Sequence, residues 1–387
     1  MSFAQKILQP ALKRQMAVGN DVSTAAVATK SFLALLVYGA AFAEAALLDA
    51  PLLALPASIL TGLMSAYLFR QAHDAAHGSL TADRRVNAIL GRLFIAPSLH
   101  AFAAWDLFHN RRHHPFNNLS VKDYIWIPLS LEQYRRLRPA VRAFQRVTRT
   151  PLGSGLGYLV AVWWRFMVWP EAAAMRQATR RDSAIAAGFL LVQCGLAAAL
   201  AGADAGAGRL LQAIGFAVLL PFLLLCHLLG YVSFLNHTHP DLPWFDDPAE
   251  WRRHRTRHLL AVHYRVPWWL FLLRTDLAHH ATHHLAPRLT IEHLPRAEQR
   301  MMPALRQRAV VEDWSPRRQR EIFARCKLYD FRRHLWIGFD GAVTARPVLT
   351  GRSAGDIPQC SMREPSHPSP VGSAARIEAR ELDGTPF

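Results

Sequence analysis

The sequence predicts an all-α integral membrane protein with two transmembrane helical hairpins, interfacial helices and a cytoplasmic helical cap that holds a two-metal site. Three observations predict this fold. Hydrophobic residues make up 51% of the 387 residues, yet the formal net charge is +17. The apolar residues are gathered in four runs long enough to cross a bilayer. The histidines are gathered in three clusters, each beside a predicted membrane boundary.

The four apolar runs form two predicted hairpins. The first hairpin comprises residues 31–48 and 52–69, which are joined by a turn at residues 49–51. The second comprises residues 184–203 and 210–229. Each run has about 18 to 20 residues, just enough to cross a hydrocarbon core about 30 Å thick. Because the connections are so short, the two spans of each hairpin must be antiparallel neighbours.

Two further apolar stretches are less suited to spanning. Residues 88–105 contain Arg92, Pro97 and His100. Residues 156–169 are too few to span and include three tryptophans and an arginine, which favour the headgroup level of a membrane. We therefore expect interfacial or re-entrant helices here, with one more full span as the alternative for either stretch.

The distribution of charge predicts the orientation and the domain limits. The turns at residues 49–51 and 202–208 contain no Lys or Arg, so the positive-inside rule places both termini and all three histidine clusters in the cytoplasm. We predict a cytoplasmic N-terminal segment over residues 1–30 and a membrane-embedded domain over residues 31–348. Residues 349–387 are rich in Ser, Pro, Gly and charge and predict a disordered tail. The Ala- and Arg-rich composition suggests a bacterial inner membrane.

The composition also argues against several classes of function. The basic segments alternate with apolar runs and carry no nucleic-acid-binding motif, which argues against a nucleic-acid partner. The four cysteines form no C-x-x-C pair, so neither a disulfide framework nor a thiolate metal site is indicated. No glycine-rich nucleotide loop, haem-attachment motif or rubredoxin-like cysteine pair is present, so any reducing equivalents must come from a separate carrier.

Three short segments each carry histidines four residues apart. Residues so spaced lie on one face of a helix, so each segment can direct two or three imidazole nitrogens towards one point. Neutral imidazole is the commonest metal ligand in proteins and suits iron, copper, zinc and nickel. The candidate ligands are His73, His77, His109, His113, His114, His280, His283 and His284.

Eight imidazoles are too many for one metal ion, which takes about four to six ligands, so the set predicts two ions. A dinuclear, oxygen-activating iron site accounts best for so many neutral donors. A structural zinc site would need only four ligands, and cysteines are usually among them. Asp74 and Asn110, inside the first two clusters, are candidates for orienting imidazoles through hydrogen bonds; solvated residues on a helix face are the alternative.

The order H-D-x-x-H, H-x3-H-H and H-x2-H-H resembles the membrane-bound fatty acid desaturases and their hydroxylase relatives. The resemblance runs from about residue 73 to residue 298 and is closest to the omega-6 (Δ12, oleate-type) branch. Two of its motifs lie in and after the second cluster: the cluster itself followed by two asparagines, H-N-R-R-H-H-P-F-N-N at 109–118, and D-Y-I-W-I-P at 123–128. The other two lie near the third cluster: N-H-T-H-P-D-L-P-W-F at 236–245, and His293-Leu294.

The resemblance implies a diiron enzyme that uses O2 and two electrons to remove hydrogens from an unactivated acyl chain. It implies that the eight clustered histidines bind iron and adds His237, with His239 as the less favoured candidate. The implied partners are membrane lipids, a fatty acyl substrate linked to lipid, coenzyme A or acyl carrier protein, and an electron donor of the ferredoxin or cytochrome b5 type. One departure is Ala75-Ala76, where the branch commonly has Cys-Gly.

Two other functions remain open at this point. The same diiron scaffold supports an acetylenase, a hydroxylase or a carotenoid ketolase, which the mass of the product distinguishes from a desaturase. A membrane metal transporter or sensor is the alternative from another class. A transporter places polar ligands near the middle of the bilayer, whereas the clustered histidines lie outside the predicted spans.

Overall fold

The residues that the computed structural model describes are 24–168, 173–254, 260–270, 277–300 and 309–345. Over these ranges the chain is mostly helical, and four helical segments are long and apolar enough to span a membrane. This confirms the predicted fold class and makes the chain an integral membrane protein. The predicted tail over residues 349–387 and residues 1–23 of the predicted N-terminal segment lie outside the described ranges.

The first hairpin consists of helices α1 (Thr24–Leu47) and α2 (Pro51–Ala76). Pro51 begins α2, at a position where its missing N–H costs no helical hydrogen bond. Helix α2 continues about two turns beyond the predicted end of the span at residue 69. Its last turn thereby carries His73, as the sequence predicts for a continuation of the span.

The predicted re-entrant stretch is a pair of helices, α3 (Arg84–Ile95) and α4 (Phe102–Phe108), which are separated by a 3₁₀ turn at Ala96–Ser98. The chain is bent by 100° between them, a geometry of a broken span or a re-entrant loop. The carboxylate of Asp182 holds both halves, because it accepts hydrogen bonds from Arg92 Nε at 2.8 Å and from the backbone N of Ala103 at 2.7 Å.

Helix α4 does not end at Phe108. It continues through a π-helical turn at His109–His113 into the short helix α5 (His114–Phe116). In this turn the backbone N–H of His114 bonds the carbonyl of His109, five residues back. The wider turn changes which histidines share a face, and single π turns of this kind occur frequently at functional sites.

Three helices then cross the cap and return to the membrane boundary: α6 (Leu131–Arg136), α7 (Pro139–Thr148) and α8 (Ser154–Tyr158). Helix α8 continues as a π-helical segment, Leu159–Val168, which corresponds to the second predicted interfacial stretch. Ser130 begins α6 with a capping box, in which its hydroxyl accepts from Gln133 N and the Gln133 side chain accepts from Ser130 N.

The second hairpin begins with α9 (Ala173–Ala201) and returns as α10 (Ala207–Ile214), a π turn (Gly215–Leu219) and α11 (Leu220–His237). The candidate spans are Thr179–Ala201 and Ala207–His237. Like α2, helix α11 runs beyond its predicted span, about two turns past residue 229, and ends at a histidine.

Polar contacts join the two hairpins at the turns away from the histidines and within the apolar region. Arg209 Nε lies 2.5 Å from Asp49 Oδ1, and Gln212 Nε2 donates to the carbonyl of Leu48 at 3.1 Å. Within the spans, the amide of Gln193 donates to the hydroxyl of Tyr38. The Gln193–Tyr38 pair is buried, and such pairs stabilise helix packing where lipid offers no other hydrogen-bonding partner.

The cap contains short strands that the sequence analysis did not predict. After α12 (Pro248–Arg253), strand β1 (Val262–Arg265) pairs in parallel with β2 (Val310–Asp313). A second, antiparallel sheet has the order β3 (Leu328–Asp330), β4 (Leu335–Ile337) and β5 (Val343–Ala345). Strands of three or four residues are too short to show an alternating pattern in the sequence. The described part of the cap also contains the helices α13 (His280–Leu285) and α14 (Pro316–Arg325).

Helices α8 and α11 approach each other closely at two glycines. A Cβ added at Gly155 would lie 2.6 Å from the Cα of His227, and one added at Gly230 would collide with the carbonyl oxygen of Ser154. Only residues without a side chain fit at this contact, as is common where membrane helices pack backbone to backbone.

We expect Gly230→Ala to lower the free energy of unfolding by about 1–3 kcal/mol, because the added methyl group forces the two backbones apart. The measurement is thermal unfolding of the detergent-solubilised chain followed by circular dichroism. Gly188→Ala in α9 is the matched control, since a Cβ there meets no atom within 4 Å. Equal melting temperatures for the two variants would contradict this account of the contact.

Candidate metal centre

Four helical segments bring histidines together at the membrane boundary: the last turns of α2 and α11, the π turn with α5, and α13. Helix α13 packs against strand β1. Within each of two groups, one ring nitrogen from every residue lies within 4.8 Å of the others. The first group is His73, His77, His109, His114 and His283; the second is His113, His237, His280 and His284.

The nitrogens of the first group face one another at short distances. The Nε2 atom of His109 lies 2.9 Å from that of His73 and 3.0 Å from that of His114. His114 and His283 are 3.1 Å apart at the same atoms, and His73 and His77 are 3.3 Å apart. For metal–nitrogen bonds of about 2.1 Å, ligand atoms at right angles lie about 3 Å apart. The spacing is therefore that of ligands around one ion.

The second group has the same arrangement. His280 Nε2 lies 2.8 Å from His237 Nε2 and 3.1 Å from His284 Nε2. The ring of His113 completes the group, with its centroid 4.5 Å from that of His237 and 4.9 Å from that of His284. The two groups touch, because the rings of His114 and His284 stack with centroids 4.5 Å apart.

Hydrogen bonds at the opposite ring nitrogens direct lone pairs into the second group. His113 Nδ1 lies 3.0 Å from Asp123 Oδ1, and both side chains are buried. His237 Nδ1 lies 3.1 Å from the carbonyl oxygen of Leu260. A neutral imidazole has a single N–H, and these acceptors hold it at Nδ1. The Nε2 atoms of His113 and His237 then carry the lone pairs, in the form in which imidazole binds a metal ion.

The environment also keeps the rings neutral, as metal ligation requires. Burial lowers the pKa of His280, His283 and His284 well below the usual value of imidazole, and the charges of neighbouring histidines lower it further. At neutral pH these imidazoles are therefore free bases, in the form that binds metal.

The π turn divides the second histidine cluster between the two groups. The sequence spacing places His109 and His113 on one helical face, but the structure pairs His109 with His114 and assigns His113 to the other group. The reason is the wider turn, in which residues five apart align. The third cluster is divided as well, because His283 joins the first group while His280 and His284, which are four residues apart in a regular helix, join the second.

The other predicted site residues lie beside these groups. Asp74 Oδ1 is 3.6 Å from His73 Nδ1, and Oδ2 accepts from the backbone N of Ile291 at 3.1 Å, which ties the first cluster to the segment after the third. Asn110 instead donates to the carbonyl of Ala76 at 2.9 Å and to Asp106 Oδ1 at 2.5 Å, so neither contact reaches an imidazole.

The two histidines of the N-H-T-H-P segment have different surroundings. His237 belongs to the second group, whereas His239 lies outside both groups, with its Nε2 atom 2.9 Å from Glu312 Oε2. Sequence reasoning assigned no role to Asp123 or Asn118. Asn118 Oδ1 lies 3.2 Å from His237 Nδ1. The signal for both residues was their place in the N-N and D-x-x-W-x-P motifs.

A largely apolar cavity of about 340 Å³ adjoins the histidines. Its walls come mainly from α2 and α11, through residues such as Leu63, Tyr67, Leu228 and Val232. Seven histidines line it: His279, which belongs to neither group, and His73, His109, His113, His237, His280 and His283. Leu63 and His73 are ten residues apart on α2, so the cavity extends about 15 Å along the helix from the histidines towards the membrane interior.

The fold and the site define an integral membrane protein with two adjoining histidine clusters able to hold metal ions beside an apolar cavity. The sequence profile of the family described as fatty acid desaturase matches residues 50–316, and the chain belongs to this family of oxidoreductases. The resemblance inferred from the histidine clusters is thereby confirmed.

Curated relatives support the same branch at low identity. The chain is 26% identical over 280 residues to the chloroplastic omega-6 fatty acid desaturase of Arabidopsis thaliana. The match covers 72% of this chain and 60% of that protein. It is 25% identical over 291 residues to the sn-1 oleoyl-lipid 12-desaturase of a Synechocystis species, and the match covers 70% of this chain and 75% of that protein. A Picosynechococcus protein of the same description is 25% identical over 287 residues, and the match covers 74% of this chain and 80% of that protein.

We expect Asp123→Asn to weaken metal binding in the second group by about 10- to 100-fold, because the amide no longer fixes the tautomer of His113. Titration of the metal-free chain with Co²⁺ against a competing chelator measures this affinity. Asp246→Asn, at an exposed carboxylate that belongs to neither group, should bind as the unaltered chain does. An Asp123→Asn variant of native helical content and unaltered affinity would contradict the proposed orientation.

Proposed function

We propose that this protein is an O2-dependent fatty acyl desaturase, similar to the omega-6/Δ12 branch, which inserts a C=C bond into an acyl chain at a histidine-ligated two-iron centre. The observation that carries the proposal is the position of two adjoining histidine groups at the end of an apolar cavity between α2 and α11. Family membership and the names of the curated relatives support it.

We infer that His73, His77, His109, His114 and His283 bind one iron ion and that His113, His237, His280 and His284 bind the other. The donor set fits, because imidazole suits iron and the nitrogen separations match those of ligands on a common ion. Four imidazoles leave positions free on an ion that accepts up to six ligands. When bound, the two ions would activate O2, which is the oxidant that removes hydrogens from an unactivated chain.

The contribution of the protein is to bind and position the substrate. The side chains of Leu63, Leu228 and Val232 form apolar walls that exclude water and hold the methylene chain by burial. The histidines at the end of the cavity fix the depth at which a methylene pair meets the site. Asp123 and the Leu260 carbonyl hold the imidazoles of the second group in the ligating tautomer.

Further features of the proposal follow from the position of the site. An acyl chain dissolved in the bilayer can enter a cavity that runs into the membrane region, whether it is carried by lipid, coenzyme A or acyl carrier protein. We propose that the site faces the cytoplasm of a bacterial inner membrane, because the histidine-bearing side holds nearly all of the Lys and Arg. The electrons would come from a ferredoxin or a cytochrome b5 type protein.

The alternatives are less well supported. His73 and His237 lie in the last turns of their helices, at the ends of the spans rather than in the middle, which is unlike a transporter site. An acetylenase, hydroxylase or carotenoid ketolase would use the same histidines, and no contact of the described residues favours one of them over a desaturase.

Expression of the chain with an electron donor in a host that lacks polyunsaturated lipids should give a new double bond in C16 to C18 chains. Mass spectrometry of the fatty acids measures the change as a loss of two hydrogens. We expect the product to disappear in His113→Ala and His283→Ala, which each remove a ligand from a different group. An unchanged profile from folded protein would contradict the assignment, and a gain of one oxygen would identify a hydroxylase instead.

Iron analysis of the purified chain should give two iron ions per chain. We expect His237→Ala to lower the iron content, because it removes one of only four ligands of the second ion. His239→Gln is the matched control, since that residue lies two positions further on and contacts Glu312 instead of either group. Equal iron loss in both variants, or zinc at a single site in the unaltered chain, would contradict the two-iron assignment.

A further inference from the structure

Arg149 carries a buried positive charge that has no counterion among the described residues. Its side chain is 3% exposed, and its Nη2 atom donates to the carbonyl oxygen of Ile127 at 2.8 Å. The guanidinium also lies over the ring of Trp126, 6.0 Å from the centroid. Its Nε and Nη1 atoms are buried without a hydrogen-bond partner in the described part of the chain. Burial lowers the pKa of Arg149 to about 10, so the side chain is still charged at neutral pH and its unpaired donors are costly.

Two further cations accompany Arg149. Lys327 Nζ donates to the carbonyl oxygen of Arg149 at 2.6 Å, and burial together with the charge of Arg149 lowers the pKa of Lys327. The ammonium group of Lys327 lies 6.0 Å from the ring centroid of Phe339, and the guanidinium of Arg146 lies 5.7 Å from the same centroid. Arg146 is exposed and Lys327 is half-buried, so this set reaches the surface. We call Arg146, Arg149 and Lys327 the basic cluster.

The charge of the basic cluster is not cancelled by nearby carboxylates. Over the ranges that the structure describes, none of its three members forms an ion pair. Arg146 Nε donates instead to the hydroxyl of Tyr134 at 2.8 Å. Cys326 precedes Lys327, but burial raises the pKa of its thiol far above the usual value, so the thiol is neutral. Three neighbouring cations without a carboxylate favour an anion with several acceptor oxygens, such as a phosphate group.

The position of the basic cluster favours the phosphate of a membrane lipid. Helix α8 begins five residues after Arg149 and packs against α11, where a Cβ on Gly155 would lie 2.6 Å from the Cα of His227. His227 lies near the predicted end of its span at residue 229, so the chain around Arg149 is close to the level of lipid headgroups. Leu152, three residues after Arg149, is 87% exposed, which costs free energy in water but not against lipid.

We propose that the basic cluster binds the phosphate of an anionic membrane phospholipid, with Arg146 and Lys327 at the surface and Arg149 behind them. The phosphate would supply the counter-charge for the buried guanidinium, and the acyl chains of the lipid would lie along the apolar surface at Leu152. None of the three cations lines the cavity beside the histidines, so this site is separate from the candidate metal centre. The inference does not rest on the proposed function.

Native mass spectrometry of the full chain in a neutral detergent measures the dissociation constant of the first bound lipid, with dioleoyl phosphatidylglycerol as the probe. We expect Lys327→Gln to weaken this binding about tenfold or more, because it removes a charged hydrogen-bond donor. Lys122→Gln is the matched control, since Lys122 Nζ also lies over a phenylalanine ring, 4.5 Å from the centroid of Phe116. The control should stay within about twofold of the unaltered chain. Equal affinities for the two variants would overturn the proposal.

The same titration distinguishes the possible sources of phosphate. Dioleoyl phosphatidylcholine has the same acyl chains but no net charge, and the unaltered chain should bind it about tenfold more weakly or less tightly still. Inorganic phosphate should not displace phosphatidylglycerol at equal concentration. Equal affinity for the two lipids would overturn the assignment of an anionic headgroup. Displacement by inorganic phosphate would assign the basic cluster to a soluble anion and overturn the lipid site.

Thermal unfolding tests the role of the buried cation. Phosphatidylglycerol should raise the melting temperature of the unaltered chain by about 3 °C or more, because it binds the folded state. We expect no such rise in Arg149→Met, which removes the unpaired charge. Arg332→Met, the same change at an exposed arginine on the turn between β3 and β4, should keep the full rise. An equal rise in all three proteins would overturn the proposal, and Lys327→Gln, which should also lose the rise, decides the question if Arg149→Met does not fold.

Discussion

The structure depends on one electrostatic constraint: nine imidazoles must turn their ring nitrogens towards each other in two small, largely buried groups. Buried polar atoms without partners are costly, and lone pairs facing each other at about 3 Å repel. If the two groups bind metal as proposed, the bound cations remove that penalty and stabilise the arrangement. Three features bring these rings together. Helices α2 and α11 continue beyond their predicted spans, the π turn aligns residues five apart, and α13 packs on β1.

The position of the site suits a reactant that dissolves in the membrane. The cavity reaches the histidines from the membrane side, past Leu63 and Leu228, where a methylene chain is favoured. A site at the ends of α2 and α11 can therefore take a methylene chain from the bilayer without drawing it fully into water.

The sequence predicted the parts of the molecule that follow from regular periodicity. The four spans and the continuation of α2 to His73 follow from apolar length, and the three clusters follow from histidine spacing. The division of His113 from His109 could not be predicted, because spacing arguments assume the regular α-helical repeat and the π turn departs from it. The role of Asp123 depends on a tertiary contact, and β1 to β5 are too short to produce a pattern. The choice of His237 over His239 came from resemblance alone.

The π turn at residues 109–113 has a consequence for how the two metals load. One continuous segment supplies His109 and His114 to one group and His113 to the other, so its backbone belongs to both coordination spheres. Whichever ion arrives first restricts this shared segment, and the second ion then meets ligands that have already lost their conformational freedom. If both groups bind metal as proposed, we expect cooperative occupancy of the two positions, with the chain that holds exactly one ion as the scarcest species during assembly.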